Sequence, residues 1–194
     1  MTKNNYTNTI TKEEIQKLPL GFFKGNIIIV NDHETLNKAI EEIKKYSKWG
    51  FDTETKPAFR KGQKNKMSII QLANDSEAYI FQIKQTGITR ELLDILTDPA
   101  ILKIGVDIKQ DLHKIREYIP GFEAQGFIDV QKIAKEKGIK DLSLRKLAAI
   151  VLGLRISKRQ QLSNWERYDL TPAQKRYAAT DAWAAYLIYK KLAE

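Results

Sequence analysis

The sequence predicts an α/β domain with a mixed central β-sheet flanked by helices. Three observations carry that expectation. Short apolar runs at 27–30, 49–53, 67–73, 78–81 and 101–104 alternate with segments whose apolar residues recur at helical spacing. The N-D-S-E turn at 74–77 joins two of those runs into a β-hairpin, and the run at 101–104 is placed beside the strand at 49–53. A length of 194 residues, with 42% hydrophobic and 29% charged residues, suits one domain with a full core.

Residues 1–25 read as an N-terminal extension and 26–194 as the domain. Within the extension, Thr11 and Glu14 have the spacing of a capping box for a short helix that ends at Pro19. The step G-F-F-K-G follows; Phe22 and Phe23 either pack back on the domain or serve as a contact. After the strand at 27–30, Leu36, Ala39, Ile40 and Ile43 share one helical face, predicting a helix over 32–46 with a charged outer face. His33 falls in its first turn, a surface or capping position.

The strand at 49–53 opens the stretch W-G-F-D-T-E-T, residues 49–55. The loop P-A-F-R-K-G-Q-K-N-K, residues 57–66, carries four basic residues, Arg60, Lys61, Lys64 and Lys66. It is either a solvated turn or a loop that contacts phosphate. After the hairpin, a helix over 90–96 is capped by Thr89. Gly105 ends the strand at 101–104, and D-I-K-Q-D-L-H-K-I starts a helix with Asp107 as a candidate N-cap. His113 lies on a different face from Asp111 and reads as a surface residue.

Phe127 and Ile128 form a short strand. Helices follow at about 130–136 and 143–152, the second capped by Ser143 and stopped by Gly153. The basic stretch R-I-S-K-R-Q-Q-L-S-N-W, residues 155–165, lacks periodicity, and its Trp165 either seals the core or stacks on a base. Thr171 and Pro172 cap and start the last helix, whose alanine-rich interior is suited to close packing on the sheet.

Composition narrows the function classes. The chain has no cysteine, which excludes disulfides, thiolate zinc sites and cysteine nucleophiles and fits a reducing, cytoplasmic setting. No run of eighteen apolar residues is present to span a membrane, and the polar start makes export unexpected. A formal charge of +9, from 33 Lys and Arg against 24 Asp and Glu, favours a polyanionic partner.

Four acids stand out. Asp52 and Glu54 lie two apart on a strand, so both project to one face. Such a pair either is solvated at an exposed edge or shares a counter-charge, and oxygen ligands of this kind suit Mg²⁺ or Mn²⁺. Asp111 lies inside its helix, four residues after Asp107, where like charges on one face repel. Asp181 sits within an apolar helix, a costly place for an unsatisfied carboxylate, and shares a face with Tyr177.

These motifs, F-D-T-E-T at 51–55, K-I-G-V-D-I-K-Q-D-L at 103–112 and Y-A-A-T-D-A at 177–182, resemble those of the DEDD superfamily of 3′–5′ exonucleases, in the subgroup with a motif tyrosine. The flanking S-I-I-Q-L-A at 68–73 and L-S-N-W at 162–165 are similar to the Werner-syndrome exonuclease domain and ribonuclease D. The resemblance covers roughly residues 27–193. It implies a ribonuclease H-like fold and removal of nucleoside 5′-monophosphates from the 3′ end of DNA or RNA, with two divalent ions, Mg²⁺ or Mn²⁺. On that pattern Asp52 bridges the ions, Glu54 and Asp181 complete the nucleophile-side ion, Asp111 holds the leaving-group ion, and Tyr177 orients the attacking water. Many relatives carry asparagine where this chain has Asp107, which adds negative charge and bears on metal preference. No helicase or helical accessory domain is expected after Glu194.

Arg60, Lys61, Lys64, Lys66, Lys158 and Arg159 are the candidate nucleic-acid contacts, since phosphates beyond the scissile one need partners. The alternatives are a related metal-dependent phosphoesterase for short oligonucleotides or small nucleotides, and a nucleic-acid-binding module without catalysis.

Overall fold

Helix α8, Pro172–Ala193, lies across one face of a six-stranded sheet. In this computed structural model residues 6–60 and 62–193 are described. The strands are β1 (Asn26–Val30), β2 (Lys48–Thr55), β3 (Met67–Ala73), β4 (Glu77–Gln82), β5 (Leu102–Gly105) and β6 (Phe127–Asp129), in the order β1-β4-β3-β2-β5-β6. The central trio β4, β3 and β2 is antiparallel, as the 74–77 turn requires, whereas β1, β5 and β6 join parallel to their neighbours. The mixed sheet follows the expectation.

Alternation along the strands sorts side chains into two layers. On one face Trp49, Phe51, Ile70, Leu72 and Phe81 pack with Leu36 and Ile43 of α2 (His33–Ile43), Leu92 and Ile95 of α4 (Arg90–Thr97) and Ile115 of α5 (Ile108–Tyr118). The one-turn helix α3, Ile83–Thr86, links β4 to that layer. On the other face Ile69, Ile80, Ala73 and Ala78 meet Ala178, Ala179 and Ala182 of α8. Beyond the parallel edge, α6 (Val130–Glu136) and α7 (Leu144–Leu147) close the core against Ala184 and Ile188. The alanines let α8 approach closely: a Cβ at Gly50 of β2 would lie 1.9 Å from the Ala182 carbonyl oxygen.

Local signals are realised with four differences. The Thr11–Glu14 capping box forms at α1 (Lys12–Lys17), Asp32 and Thr89 cap α2 and α4, and Gln174 N–H donates to Thr171 ahead of α8. Helix α2 is shorter than expected, because the chain leaves it after Ile43 to reach β2. The helix expected over 143–152 is α7 followed by a wider π-helical turn, Ala148–Leu152, and Gly153 ends it at a positive φ of 66°. Ser143 makes no side-chain capping bond. Asp107 stands at the N-cap of α5 but at φ 60°, and its side chain does not cap.

The N-terminal segment is tied to the domain. Ile10 N–H donates to Asp141, Gly21 N–H and Arg155 N–H bond to the carbonyls of Arg155 and Pro19, and Phe23 N–H donates to Thr180. Phe23 is buried against Trp183. Phe22 is half-buried, with the Arg176 guanidinium 5.2 Å from its ring centre. Trp165 is in the core, stacked at a tilt on Tyr177. His33 and His113 are at the surface.

Candidate active site

The acidic residues meet where β2 outruns its neighbour. β2 pairs with β3 from Gly50 to Thr55, but with β5 only from Lys48 to Gly50. Its last residues therefore border an open notch at the C-terminal end of β5. Gly50, Asp52 and Glu54 share the face under α8, and the close approach at Gly50 and Ala182 sets Asp181 beside the strand pair. One carboxylate oxygen from each of Asp52, Glu54 and Asp181 lies within 4.8 Å of the others.

Asp111 reaches the same cleft from the opposite layer. Thr53, between the two strand acids, points to the α5 side, and its hydroxyl donates to Asp111 Oδ1. Lys114, one turn on, places its ammonium 3.6 Å from that oxygen and 3.4 Å from the Thr53 hydroxyl. The cleft, about 460 Å³, is lined by Asp52, Glu54, Asp111, Tyr177 and Asp181. Asp107 lies on its rim, where its carboxylate accepts from Gln110 Nε2 at 2.9 Å.

Burial and crowding dominate the electrostatics. Desolvation, with the charges of Asp111, Glu54 and Asp181, pushes Asp52 well above the usual carboxylate range. Desolvation and the Asp181 charge push Glu54 up to about 9, with Lys114 opposing. Asp181 is pushed up to about 7 by desolvation, while a hydrogen bond from Tyr177 and the charges of Arg145 and Lys158 pull it back. Asp111 is raised by desolvation, and the Thr53 hydrogen bond and Lys114 moderate it. Tyr177 is held protonated by burial and by the Asp181 charge.

These residues fit divalent cations. The donors are all hard oxygens, they repel one another without a counter-charge, and Asp181 Oδ1 is buried with no partner among the described residues. Such a cluster suits a two-metal site for Mg²⁺ or Mn²⁺.

The basic candidates lie elsewhere. Arg60, Lys64 and Lys66 are exposed on the 57–66 loop and do not line the cleft; Lys61 falls outside the described residues. The Lys66 ammonium lies 5.2 Å from the Tyr118 ring centre. Lys158 lines a neighbouring cavity with Arg145, and Arg159 lines another with Phe22 and Tyr177. The sequence pattern marks none of Thr53, Lys114, Gln131, Ser143, Leu144 and Gln161 as a site residue, Ser143 being read only as a helix cap, yet all lie at or beside the cleft. Only Lys114 carried a signal, its three-residue spacing from Asp111 on one helix.

Comparisons with known proteins agree with this geometry. Residues 27–194 match the family model described as 3′–5′ exonuclease. The chain is 35% identical over 150 residues to the bifunctional 3′–5′ exonuclease/ATP-dependent helicase WRN of Mus musculus, covering 74% of itself and 11% of that protein. Against a 3′–5′ exonuclease of Arabidopsis thaliana it is 33% identical over 150 residues, covering 74% of itself and 51% of the relative. It thus spans from about a tenth to about half of the length of these relatives. Among solved structures, the EXO domain of Aedes aegypti Nibbler superposes with a TM-score of 0.77 at 21% identity, over 86% of this chain and 87% of that one. Escherichia coli RNase D superposes with a TM-score of 0.75 at 24% identity, over 87% and 44%. At these identities the structural likeness speaks to the fold.

Proposed function

The chain belongs to the 3′–5′ exonuclease family, on a ribonuclease H-like fold, and from that premise we propose that it is a metal-dependent exonuclease. It hydrolyses phosphodiester bonds of DNA or RNA from a free 3′ end and releases nucleoside 5′-monophosphates. What carries this reading is the convergence of the Asp52, Glu54 and Asp181 oxygens within 4.8 Å, beneath a buried tyrosine.

Asp52, Glu54, Asp111 and Asp181 would hold two divalent ions, whose chemistry is to neutralise charge at the phosphate and acidify the attacking water. Asp52 would be shared between the ions, Glu54 and Asp181 would serve the attacking side, and Asp111 the leaving side. Thr53 and Lys114 fix the Asp111 carboxylate, so its orientation is set before substrate arrives. Tyr177 keeps its proton, so its hydroxyl positions the attacking water and does not serve as base. The partly exposed side chains of Val106 and Leu144 on the cleft wall give the terminal nucleoside an apolar seat.

Arg60, Lys61, Lys64, Lys66, Lys158 and Arg159 are proposed contacts for the phosphates of a longer strand, and residues 26–194 the catalytic domain with 1–25 as its extension. Among the described residues no helix is long and apolar enough to cross a membrane. The cysteine-free sequence suits a reducing cytoplasm.

The deciding experiment is digestion of end-labelled single-stranded DNA, recessed duplex DNA and single-stranded RNA with Mg²⁺ or Mn²⁺. A 5′ label should give a ladder shortening from the 3′ end, with mononucleotides as the sole small product. Internal cuts, or no cleavage with either metal, would overturn the reading.

A further inference from the structure

A second cavity of about 330 Å³ adjoins the acidic cleft and is lined by Lys12, Ile15, Gln16, Ser143, Arg145, Lys146 and Lys158. Ser143 borders both cavities, so the two share a rim. Three separate parts of the chain bring cations here: α1, the start of α7 and the 155–160 stretch. Lys146 is neutralised by Asp141 at 2.6 Å. Lys12, Arg145 and Lys158 make no ion pair among the described residues.

The geometry of this corner is held from several sides. Asp141, besides pairing with Lys146, accepts from Ile10 N–H just ahead of α1. Lys140 N–H donates to the Asn8 carbonyl. Arg145 Nε donates to the Ile156 carbonyl at 3.0 Å, which fixes its guanidinium while leaving its terminal nitrogens free of that bond. Ile15 is buried beneath, the aliphatic stems of the long side chains make up much of the wall, and the polar groups they carry are cationic, amide or hydroxyl. A cavity of this composition selects an anion with several oxygens.

We infer that this cavity is a phosphate-binding subsite, in which Lys12, Arg145 and Lys158 grip the nucleic-acid phosphate next to the bond being cut. It rests on the exonuclease reading and adds to it a role for the N-terminal helix. The charge pattern is complementary along the path of a strand: the acidic cleft takes metal at the scissile phosphate, and uncompensated cations take the neighbouring phosphate directly. The charges of Arg145 and Lys158 already act on Asp181 across the shared rim. The phosphate has two possible sources, an internal linkage of a strand or the 5′-terminal phosphate of a dinucleotide.

The test uses the full chain carrying Asp52→Asn, to prevent cleavage, and single-stranded oligonucleotides with one neutral methylphosphonate moved stepwise from the 3′ end. One linkage near the 3′ end should lower affinity when neutralised, by roughly ten- to hundredfold for a lost charge-assisted contact. In the triple variant Lys12→Gln, Arg145→Gln, Lys158→Gln that linkage should no longer matter. The salt slope should fall by about 0.7 for each phosphate released. The same methylphosphonate profile in both proteins would overturn the subsite. Lys12→Gln alone, at an exposed position, repeats the comparison without disturbing the Arg145 bond to Ile156.

Dinucleotides with and without a 5′-phosphate distinguish the sources. A 5′-phosphate effect that vanishes in the variant assigns the site to a terminal phosphate, and an internal-linkage effect assigns it to a strand. The parent reading is scored separately with the unsubstituted protein. Cleavage from the 3′ end with an unchanged methylphosphonate profile rejects only the subsite. No cleavage of any oligonucleotide rejects both.

Discussion

Gly50 lies directly beneath the Ala182 carbonyl, and a Cβ on Gly50 would stand 1.9 Å from that oxygen. The contact joins the strand that bears Asp52 and Glu54 to the helix that bears Asp181. Gly50→Ala should push α8 off the sheet, at a cost of about 1–3 kcal/mol for overpacking. It should also weaken metal binding, because Asp181 moves with the helix. Thermal melting with and without Mn²⁺ checks both effects. A variant with the stability and Mn²⁺ response of the parent would show that the backbone absorbs the methyl without moving the site.

The carboxylate cluster makes the metal-free protein sensitive to pH. Glu54 is raised to about 9 and Asp181 to about 7, from ordinary values of 4.5 and 3.8. An acid with a raised folded pKa binds more protons folded than unfolded, so stability falls as pH rises through that interval. The melting temperature without metal should therefore decline between about pH 5 and pH 9. Mn²⁺ binds the ionised cluster, and its stabilising shift should be larger at pH 8 than at pH 5. A metal-free melting temperature that rises over this range would contradict the electrostatic account.

Asp52→Asn and Asp181→Asn should each abolish hydrolysis. Both conserve size and remove one of the crowded charges. The expected structural signature is a metal-free melting temperature at pH 8 equal to or above the parent's, with the Mn²⁺ shift lost. Hydrolysis close to the parent rate in a folded variant would remove that residue from the catalytic set.

Tyr177→Phe should lower turnover roughly ten- to thousandfold, with metal and oligonucleotide affinity nearly unchanged, since one positioning hydrogen bond is lost in the transition state. The ring still fills its place against Trp165. Single-turnover rates beside equilibrium binding separate the two effects. Equal rates would assign the tyrosine to packing alone.

The 57–66 loop carries exposed cations away from the cleft. If it contacts the strand, replacing Arg60, Lys61, Lys64 and Lys66 with alanine should flatten the dependence of log affinity on log salt, by about 0.7 for each phosphate released. The loss should be uniform across base sequences. Measured with the Asp52→Asn background on a long oligonucleotide, an unchanged slope would make the loop a solvated turn.

The sequence alone determined the elements and the acids that mark the site, because those signals are local. Strand alternation placed Asp52 and Glu54 on one face, helical spacing joined Tyr177 to Asp181, and the Thr11–Glu14 box announced α1. Hairpin chemistry at 74–77 gave the antiparallel pair. Contacts between distant segments were fixed by the folded chain as a whole. Thr53 reaches Asp111 because β5 pairs with β2 only as far as Gly50, leaving an open notch into which Asp111 of α5 projects. The Gly50 contact depends on how closely α8 settles on the sheet. The N-terminal helix meets α7 because Asn8 and Ile10 bond to residues 140 and 141. Periodicity reports which way a side chain faces within its own element. Which partner it meets is fixed by strand lengths, crossing helices and the packing of both layers together.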